Sequence, residues 1–112
     1  MTLEIETARE GADTVVRPYG ELDVRTVPAL RLALDEAVAG GGANLVVDLA
    51  AVSFIDSSGL GALLGRFRRM PAGRRMVLRA PQAHVRALLS LAGVPSLMQV
   101  EDGPVGTVGH GG

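Results

Sequence analysis

A serine hydroxyl stands at the predicted start of a helix, within the run Val52–Gly61, VSFIDSSGLG. The run leads from an apolar strand end through one acid, two hydroxyls and a glycine into an amphipathic segment. A serine in such a place can cap the helix, attack an electrophile, or accept a group from another enzyme. Asp56 and Ser57 are therefore the first candidates for chemistry.

A second acidic segment, Gly20-Glu21-Leu22-Asp23, follows an earlier predicted strand. Functional groups in a parallel sheet gather at the carboxyl ends of the strands. If both strands are parallel members of one sheet, Asp23 lies beside Asp56 and Ser57, although more than thirty residues separate the two segments.

A purely structural interpretation of these residues stays open. Asp23 and Asp56 are then turn residues, and Ser57 or Ser58 is an N-cap, since Ser and Asp dominate caps for plain hydrogen-bonding reasons. Gly59 and Gly61, in this interpretation, only allow close packing.

Alternating and 3.6-residue apolar patterns place these segments in an α/β domain. The predicted strands are 3–8, 14–19, 45–49, 76–79 and 97–100, and the predicted helices run from 27 to 39, from 57 or 58 to 70, and from 83 to 91. In the last helix Val85, Leu88 and Leu89 face inward, whereas Arg66 and Arg69 of the second helix are expected on a solvated face.

This pattern predicts a single domain over residues 1–100, with the order β-β-α-β-α-β-α-β. Its sheet is mixed but mostly parallel, with four to five strands, an antiparallel first strand and helices packed on it. Residues 101–112 are glycine-rich with almost no apolar mass, and they are expected to form a disordered tail.

Composition disfavours several function classes. The net charge is −1 and the eleven basic residues, all arginine, form no face that could grip a phosphate backbone, so no direct nucleic-acid partner is expected. There is no cysteine, and His84 and His110 lie far apart, so no metal site and no cofactor are expected. No apolar stretch approaches the ~20 residues of a membrane span, and the protein is expected in the cytoplasm, without a membrane partner.

The Gly20–Asp23 segment together with LAAVSFIDSSGLG at 49–61 resembles the STAS domain of bacterial anti-sigma factor antagonists over residues 3 to 100. The resemblance implies a non-enzymatic switch whose Ser57 is phosphorylated by an anti-sigma factor that is also a serine protein kinase and carries the ATP. The unphosphorylated form binds that kinase and frees a sigma factor, and a phosphoserine phosphatase resets the cycle. The residues expected at the partner-binding surface are Glu21, Asp23, Asp56, Ser58, Gly59, Leu60 and Gly61.

Two alternatives stay open beside this hypothesis. In the first, Ser57 is a nucleophile with His84 as base and Asp56 or Asp23 as orienting acid, which the missing Gly-x-Ser-x-Gly elbow disfavours. In the second, the domain is an unswitched STAS subunit of a stress-signalling or lipid-transport complex. The family usually ends in an amphipathic C-terminal helix that this chain lacks, which leaves a weak homodimer open.

Overall fold

Six strands, three α-helices and one short 3-10 helix, Val94–Ser96, follow one another along the part of the chain that the computed structural model describes, residues 3–103. The strands are β1 (Glu4–Glu10), β2 (Asp13–Leu22), β3 (Asn44–Asp48), β4 (Val52–Ile55), β5 (Arg75–Arg79) and β6 (Gln99–Glu101). The helices are α1 (Val27–Ala39), α2 (Ser57–Arg68) and α3 (Ala83–Leu91).

The strands form one mixed sheet in the order β1-β2-β3-β5-β6, with β4 paired to β2 off this path. Only β1 is antiparallel to its neighbour, and all the other pairs are parallel. The predicted fold class is confirmed, although the sheet has six strands rather than four to five. The additional strand is β4, whose four residues follow β3 after a short turn.

One long strand supports two neighbours. The first half of β2 pairs with β3 through Thr14–Val16, and its last residues, Gly20–Leu22, pair with β4. The register shifts between Gly20 and Glu21, where Gly20 has a φ of 112° that a residue with a side chain rarely adopts. This irregularity lets β2 leave β3 and continue alongside β4.

The core lies between the sheet and the helices. Val16, Val47 and Leu78 project from three neighbouring strands and are fully buried in one cluster with helix residues such as Leu34 and Leu63. On the opposite face, Val15, Val46 and Val77 make a separate cluster of three valines alone. We call this second face the valine face. Two residues further along the same strands, it carries the charged side chains of Arg17, Asp48 and Arg79.

The expectation for Arg66 was wrong. Its side chain is only 9% exposed, because Nη1 donates to Asp35 of α1 at 2.6 Å and Nη2 donates to the carbonyl oxygen of Arg69 at 2.6 Å. Arg69 is exposed, as predicted. A buried guanidinium is tolerated where a carboxylate and a backbone oxygen replace its water, and here it ties α2 to α1.

Glu101, the first residue of the predicted tail, is the last residue of β6. Of the remaining tail, Asp102 and Gly103 follow β6 outside any helix or strand, and residues 104–112 lie outside the described residues. Within residues 3–103, no helix has both the length and the apolar character that crossing a bilayer requires.

Candidate functional site

The two acidic segments meet at one edge of the sheet. Leu22 pairs with Ile55, and the N–H of Asp56 donates to the carbonyl oxygen of Leu22 at 3.1 Å. Asp23 and Asp56 are the next residues of the two parallel strands, so the register places them side by side. Ser57 follows at once as the first residue of α2.

Asp56 is the N-cap of α2. Its backbone is extended, and its Oδ1 accepts hydrogen bonds from the N–H groups of Ser58 at 2.8 Å and Gly59 at 3.1 Å. The suggestion that Ser57 or Ser58 caps the helix was therefore wrong, because the carboxylate one residue earlier does so. The Ser57 side chain is exposed, and its hydroxyl is not needed to hold the helix end.

Asp23 closes a tight loop before α1. Its Oδ1 accepts hydrogen bonds from the N–H groups of Arg25 at 2.9 Å and Thr26 at 3.2 Å, while the Thr26 hydroxyl donates to the carbonyl oxygen of Glu21 at 2.7 Å. Burial acts to raise the pKa of Asp23, but these N–H donors and the nearby Arg25 charge outweigh it and hold the pKa below its usual value. Asp23 is thus a carboxylate at neutral pH, and Glu21 is exposed beside it.

The two glycines of the motif have different surroundings. A Cβ on Gly59 would lie 2.6 Å from the carbonyl oxygen and 2.8 Å from the Cβ of Leu22, so α2 packs on β2 only with glycine there. A Cβ on Gly61 would meet nothing within 4 Å, and Gly61 is exposed. The close-packing interpretation therefore applies to Gly59 and not to Gly61.

Leucines of α3 lie close to Ser57, which the sequence did not reveal. A cleft between α2 and α3 is lined by Ser57 and half-buried Leu60 on one side and by Leu88 and Leu91 on the other. Leu88 was expected to face inward, but it is 44% exposed. One feature of the sequence could have indicated this apolar surface on α3: the leucines at 88 and 91 are three residues apart and therefore lie on one helix face.

The family model for the STAS domain matches residues 4–104. The chain belongs to the STAS domain family. The resemblance inferred from the Gly20–Asp23 and 49–61 segments is thereby confirmed.

Relatives of this STAS domain are named as anti-sigma factor antagonists. The anti-sigma F factor antagonist of Paenibacillus polymyxa is 34% identical over 107 residues, which cover 94% of this chain and 92% of that protein. The crystal structure of an anti-sigma factor antagonist from Mycobacterium paratuberculosis is similar with a TM-score of 0.77 at 30% identity, covering 88% of this chain and 85% of the other. The structure of the Bacillus cell fate determinant SpoIIAA in its phosphorylated form is similar with a TM-score of 0.63 at 30% identity. The match covers 88% of this chain and 89% of SpoIIAA.

The hydrogen bonds of this STAS domain give no support to a serine hydrolase. Nε2 of His84 donates to the carbonyl oxygen of Ser53, and within residues 3–103 no hydrogen bond joins His84 to Ser57. The carboxylates of Asp56 and Asp23 accept from backbone N–H groups instead of orienting an imidazole. A nucleophilic triad requires a base within hydrogen-bond reach of the serine.

Proposed function

We propose that this STAS domain is an anti-sigma factor antagonist that is switched by phosphorylation of Ser57. The observation that carries the proposal is that Ser57 is exposed on the first turn of α2. Its hydroxyl does not cap the helix, because Asp56 does so. The names of the relatives support the antagonist function, and the phosphorylated form of SpoIIAA supports the modification. The domain acts as a binding module in the cytoplasm, and the ATP belongs to the kinase.

The transfer places a phosphoryl group on a side chain that points to solvent. The Ser57 Oγ–P bond forms as the bond between the γ-phosphorus of ATP and its bridging oxygen breaks, ADP leaves, and the hydroxyl proton passes to a base. Within residues 3–103 no hydrogen bond joins Ser57 to the carboxylate of Asp23 or Asp56, whose Oδ1 atoms accept from backbone N–H groups, so the kinase supplies that base. A phosphatase later hydrolyses the ester.

Phosphorylation changes the surface and leaves the fold intact. The new group carries nearly two negative charges, and the dipole of α2 favours an anion at its N-terminus. The N–H groups of Ser58 and Gly59 are already bonded to Asp56, so the phosphate takes its hydrogen bonds from water. A partner that buries this dianion beside Asp56 and Asp23 loses on the order of several kcal/mol unless it offers a cation. Binding is therefore switched off without unfolding.

The partner-facing residues divide into two groups. Ser57, Glu21 and Gly61 are exposed, and Ser58 and Leu60 are half-buried, so these residues are available for contact, Gly61 through its backbone. Asp23, Asp56 and Gly59 act through the loop and helix geometry that they maintain. In the unphosphorylated state this surface binds the kinase, which then releases its sigma factor.

The test is a phosphorylation assay with a serine kinase of the anti-sigma class from the source organism. After incubation with ATP, intact mass and peptide mapping should show one phosphate at Ser57 in the wild type and in Ser58→Ala, and none in Ser57→Ala. Ser58→Ala is the matched control because it removes the neighbouring hydroxyl from the same helix turn. A phosphate at another residue contradicts the switch.

Binding of the same kinase completes the test. Ser57→Ala should bind as tightly as the unphosphorylated wild type, and Ser57→Asp should bind at least about tenfold more weakly. Ser57→Asp should melt within a few degrees of the wild type, since an acid in the first helical turn contributes about 0.3–1 kcal/mol of stability. Tight binding of Ser57→Asp would favour the unswitched STAS subunit instead.

A further inference from the structure

One arginine is joined to the sheet edge that carries the candidate phosphorylation site. Arg25 belongs to the loop between β2 and α1, and its Nη2 donates to Oδ2 of Asp23 at 3.5 Å. Within residues 3–103, this is the only ion pair that Glu21, Asp23 or Asp56 makes. Arg25 is therefore the cation of an otherwise acidic edge.

The position of Asp23 brings this cation close to Ser57. The residues just before Asp23 and Asp56 are paired across two parallel strands, whose spacing is about 4.8 Å. Asp23 thus lies beside Asp56, and Ser57 is the next residue along the chain. A long, flexible side chain that contacts the Asp23 carboxylate has a group on Ser57 within the range of a rotamer change.

The present contact of the Arg25 side chain is weak. The side chain is 62% exposed, and its bond to Asp23 has a length at the long limit for a hydrogen bond. Exposed ion pairs of this kind contribute little to stability. The loop keeps its shape through other bonds, because Oδ1 of Asp23 accepts from the N–H groups of Arg25 and Thr26. The guanidinium can therefore leave Asp23 at little cost.

A phosphate on Ser57 is a stronger acceptor for this guanidinium than the Asp23 oxygen. It offers nearly two negative charges and three oxygens, and the guanidinium fork of arginine fits such groups through two parallel N–H···O bonds. The N–H groups of the first turn of α2 are engaged by Asp56, so water is the competitor of Arg25 for the phosphate oxygens.

We propose that Arg25 leaves Asp23 when Ser57 is phosphorylated and pairs with the phosphate. This inference rests on the function proposed above and adds a residue that sets the charge of the modified state. One cation does not neutralise a dianion and the carboxylates of Glu21, Asp23 and Asp56, so the edge still repels an acidic partner.

The pairing determines how the phosphate titrates. The second pKa of phosphoserine is about 6, and the neighbouring carboxylates of Glu21, Asp23 and Asp56 act to raise it, since like charges disfavour the dianion. Arg25 acts in the opposite direction. The face of α3 next to Ser57 contributes only aliphatic side chains. With Arg25 in place, the phosphate therefore stays doubly charged at neutral pH.

The test measures this second pKa by phosphorus NMR on protein into which phosphoserine is incorporated at position 57 during translation. Arg25→Gln should raise the pKa by about 0.5 or more, because the opposite charge is lost. Arg68→Gln is the matched control, since Arg68 is exposed in the last turn of α2, about 16 Å along the helix from Ser57. At an ionic strength of about 0.1 M it should leave the pKa unchanged within about 0.2, because the Debye length is then about 10 Å.

Arg25→Lys keeps the positive charge and should recover most of the difference. Melting of the unmodified proteins checks that each variant is folded, and Arg25→Ser replaces the Gln variant if that variant fails to fold. The same pKa in Arg25→Gln and the wild type, or an Arg25→Lys variant that behaves as Arg25→Gln does, would overturn the pairing and leave the proposed switch standing. A raised pKa in Arg25→Gln, together with a Ser57 that no kinase of the anti-sigma class modifies, would support the pairing and overturn the switch.

Discussion

At the scale of single residues, the start of α2 contains two kinds of residue: those that stabilise the helix and its packing, and those that are exposed to solvent without a structural role. Asp56 caps the helix and Gly59 lets it approach β2, and both are fixed by backbone contacts. Ser57 and Gly61 are exposed on the same helix and have no comparable structural task. Mutations can therefore test stability and partner binding separately.

The two glycines give a matched pair for this separation. Gly59→Ala should destabilise the domain by more than about 2 kcal/mol, because the new Cβ collides with the backbone of Leu22. Gly61→Ala should instead stabilise it by roughly 0.5–1 kcal/mol, since alanine favours an exposed helix position over glycine. Urea unfolding of both variants checks the prediction, and equal destabilisation by the two would contradict the packing described for Gly59.

The cap gives a second comparison at this scale. Asp56→Ala removes the acceptor of two backbone hydrogen bonds and should cost about 1–2 kcal/mol of unfolding free energy. Asp56→Asn keeps a side-chain oxygen and should retain most of that stability. Thermal melts of both variants and of Ser57→Ala measure the difference. A loss in Ser57→Ala as large as that in Asp56→Ala would mean that the serine also caps the helix.

At the scale of elements, the sequence is informative where one periodicity dominates. The predicted α3, residues 83–91, has the bounds found in the structure, because apolar residues recur at helical spacing and Gly93 follows in a left-handed conformation. The meeting of Asp23 with Asp56 was also predictable, since it follows from two parallel strands ending at one sheet edge.

Other elements carry too weak a signal. The four residues of β4 are buried, exposed, exposed and buried, which matches neither alternation nor a continuous apolar run, so pairing with β2 and not local pattern defines this strand. Leu88 fits the apolar stripe of α3, yet no element within residues 3–103 covers it. From the sequence, the charge of Arg66 was the only basis for a prediction, and it indicated a solvated side chain. The acceptors of Arg66, Asp35 and the Arg69 carbonyl oxygen, are revealed only by the packing of α2 on α1.

At the scale of the whole molecule, the valine face depends on an ionic network across the sheet. The Asp48 carboxylate of β3 accepts hydrogen bonds from Arg17 of β2 at 3.0 Å and from Arg79 of β5 at 3.1 Å, and Arg79 continues to Glu10 of β1 at 3.0 Å. Four strands are thus joined by side chains on the face where Val15, Val46 and Val77 are buried without helix residues.

This network predicts how stability depends on pH. Burial acts to raise the pKa of Asp48, but hydrogen bonds from the Ala50 N–H, Arg17 and Arg79 outweigh it, so the pKa lies below its ordinary value. The stabilisation is therefore complete above the unfolded-state pKa of about 3.9 and is lost as the pH falls through the lower folded-state value. Asp48→Asn should cost about 1–3 kcal/mol at pH 7, and its difference from the wild type should shrink below about pH 4.

Melting temperatures of the wild type and Asp48→Asn between pH 2 and pH 8 measure this effect. Glu36→Gln, the same chemical change at an exposed position of α1, is the control and should melt as the wild type does throughout. A difference between Asp48→Asn and the wild type that stays constant down to the lowest pH would show that the network does not depend on ionised Asp48.

Because β2 pairs with both β3 and β4, the loop that carries Asp23 and the helix start that carries Ser57 are anchored in one continuous hydrogen-bonded unit. The chain lost the conformational entropy of this region when it folded, and little ordering remains for the moment of encounter. We therefore expect the response time of the protein to be set by diffusion and by the chemistry of the enzymes that add and remove phosphate. Under the proposed phosphorylation switch, the rate of signalling is then determined by the kinase and the phosphatase, to which this chain presents a rigid substrate.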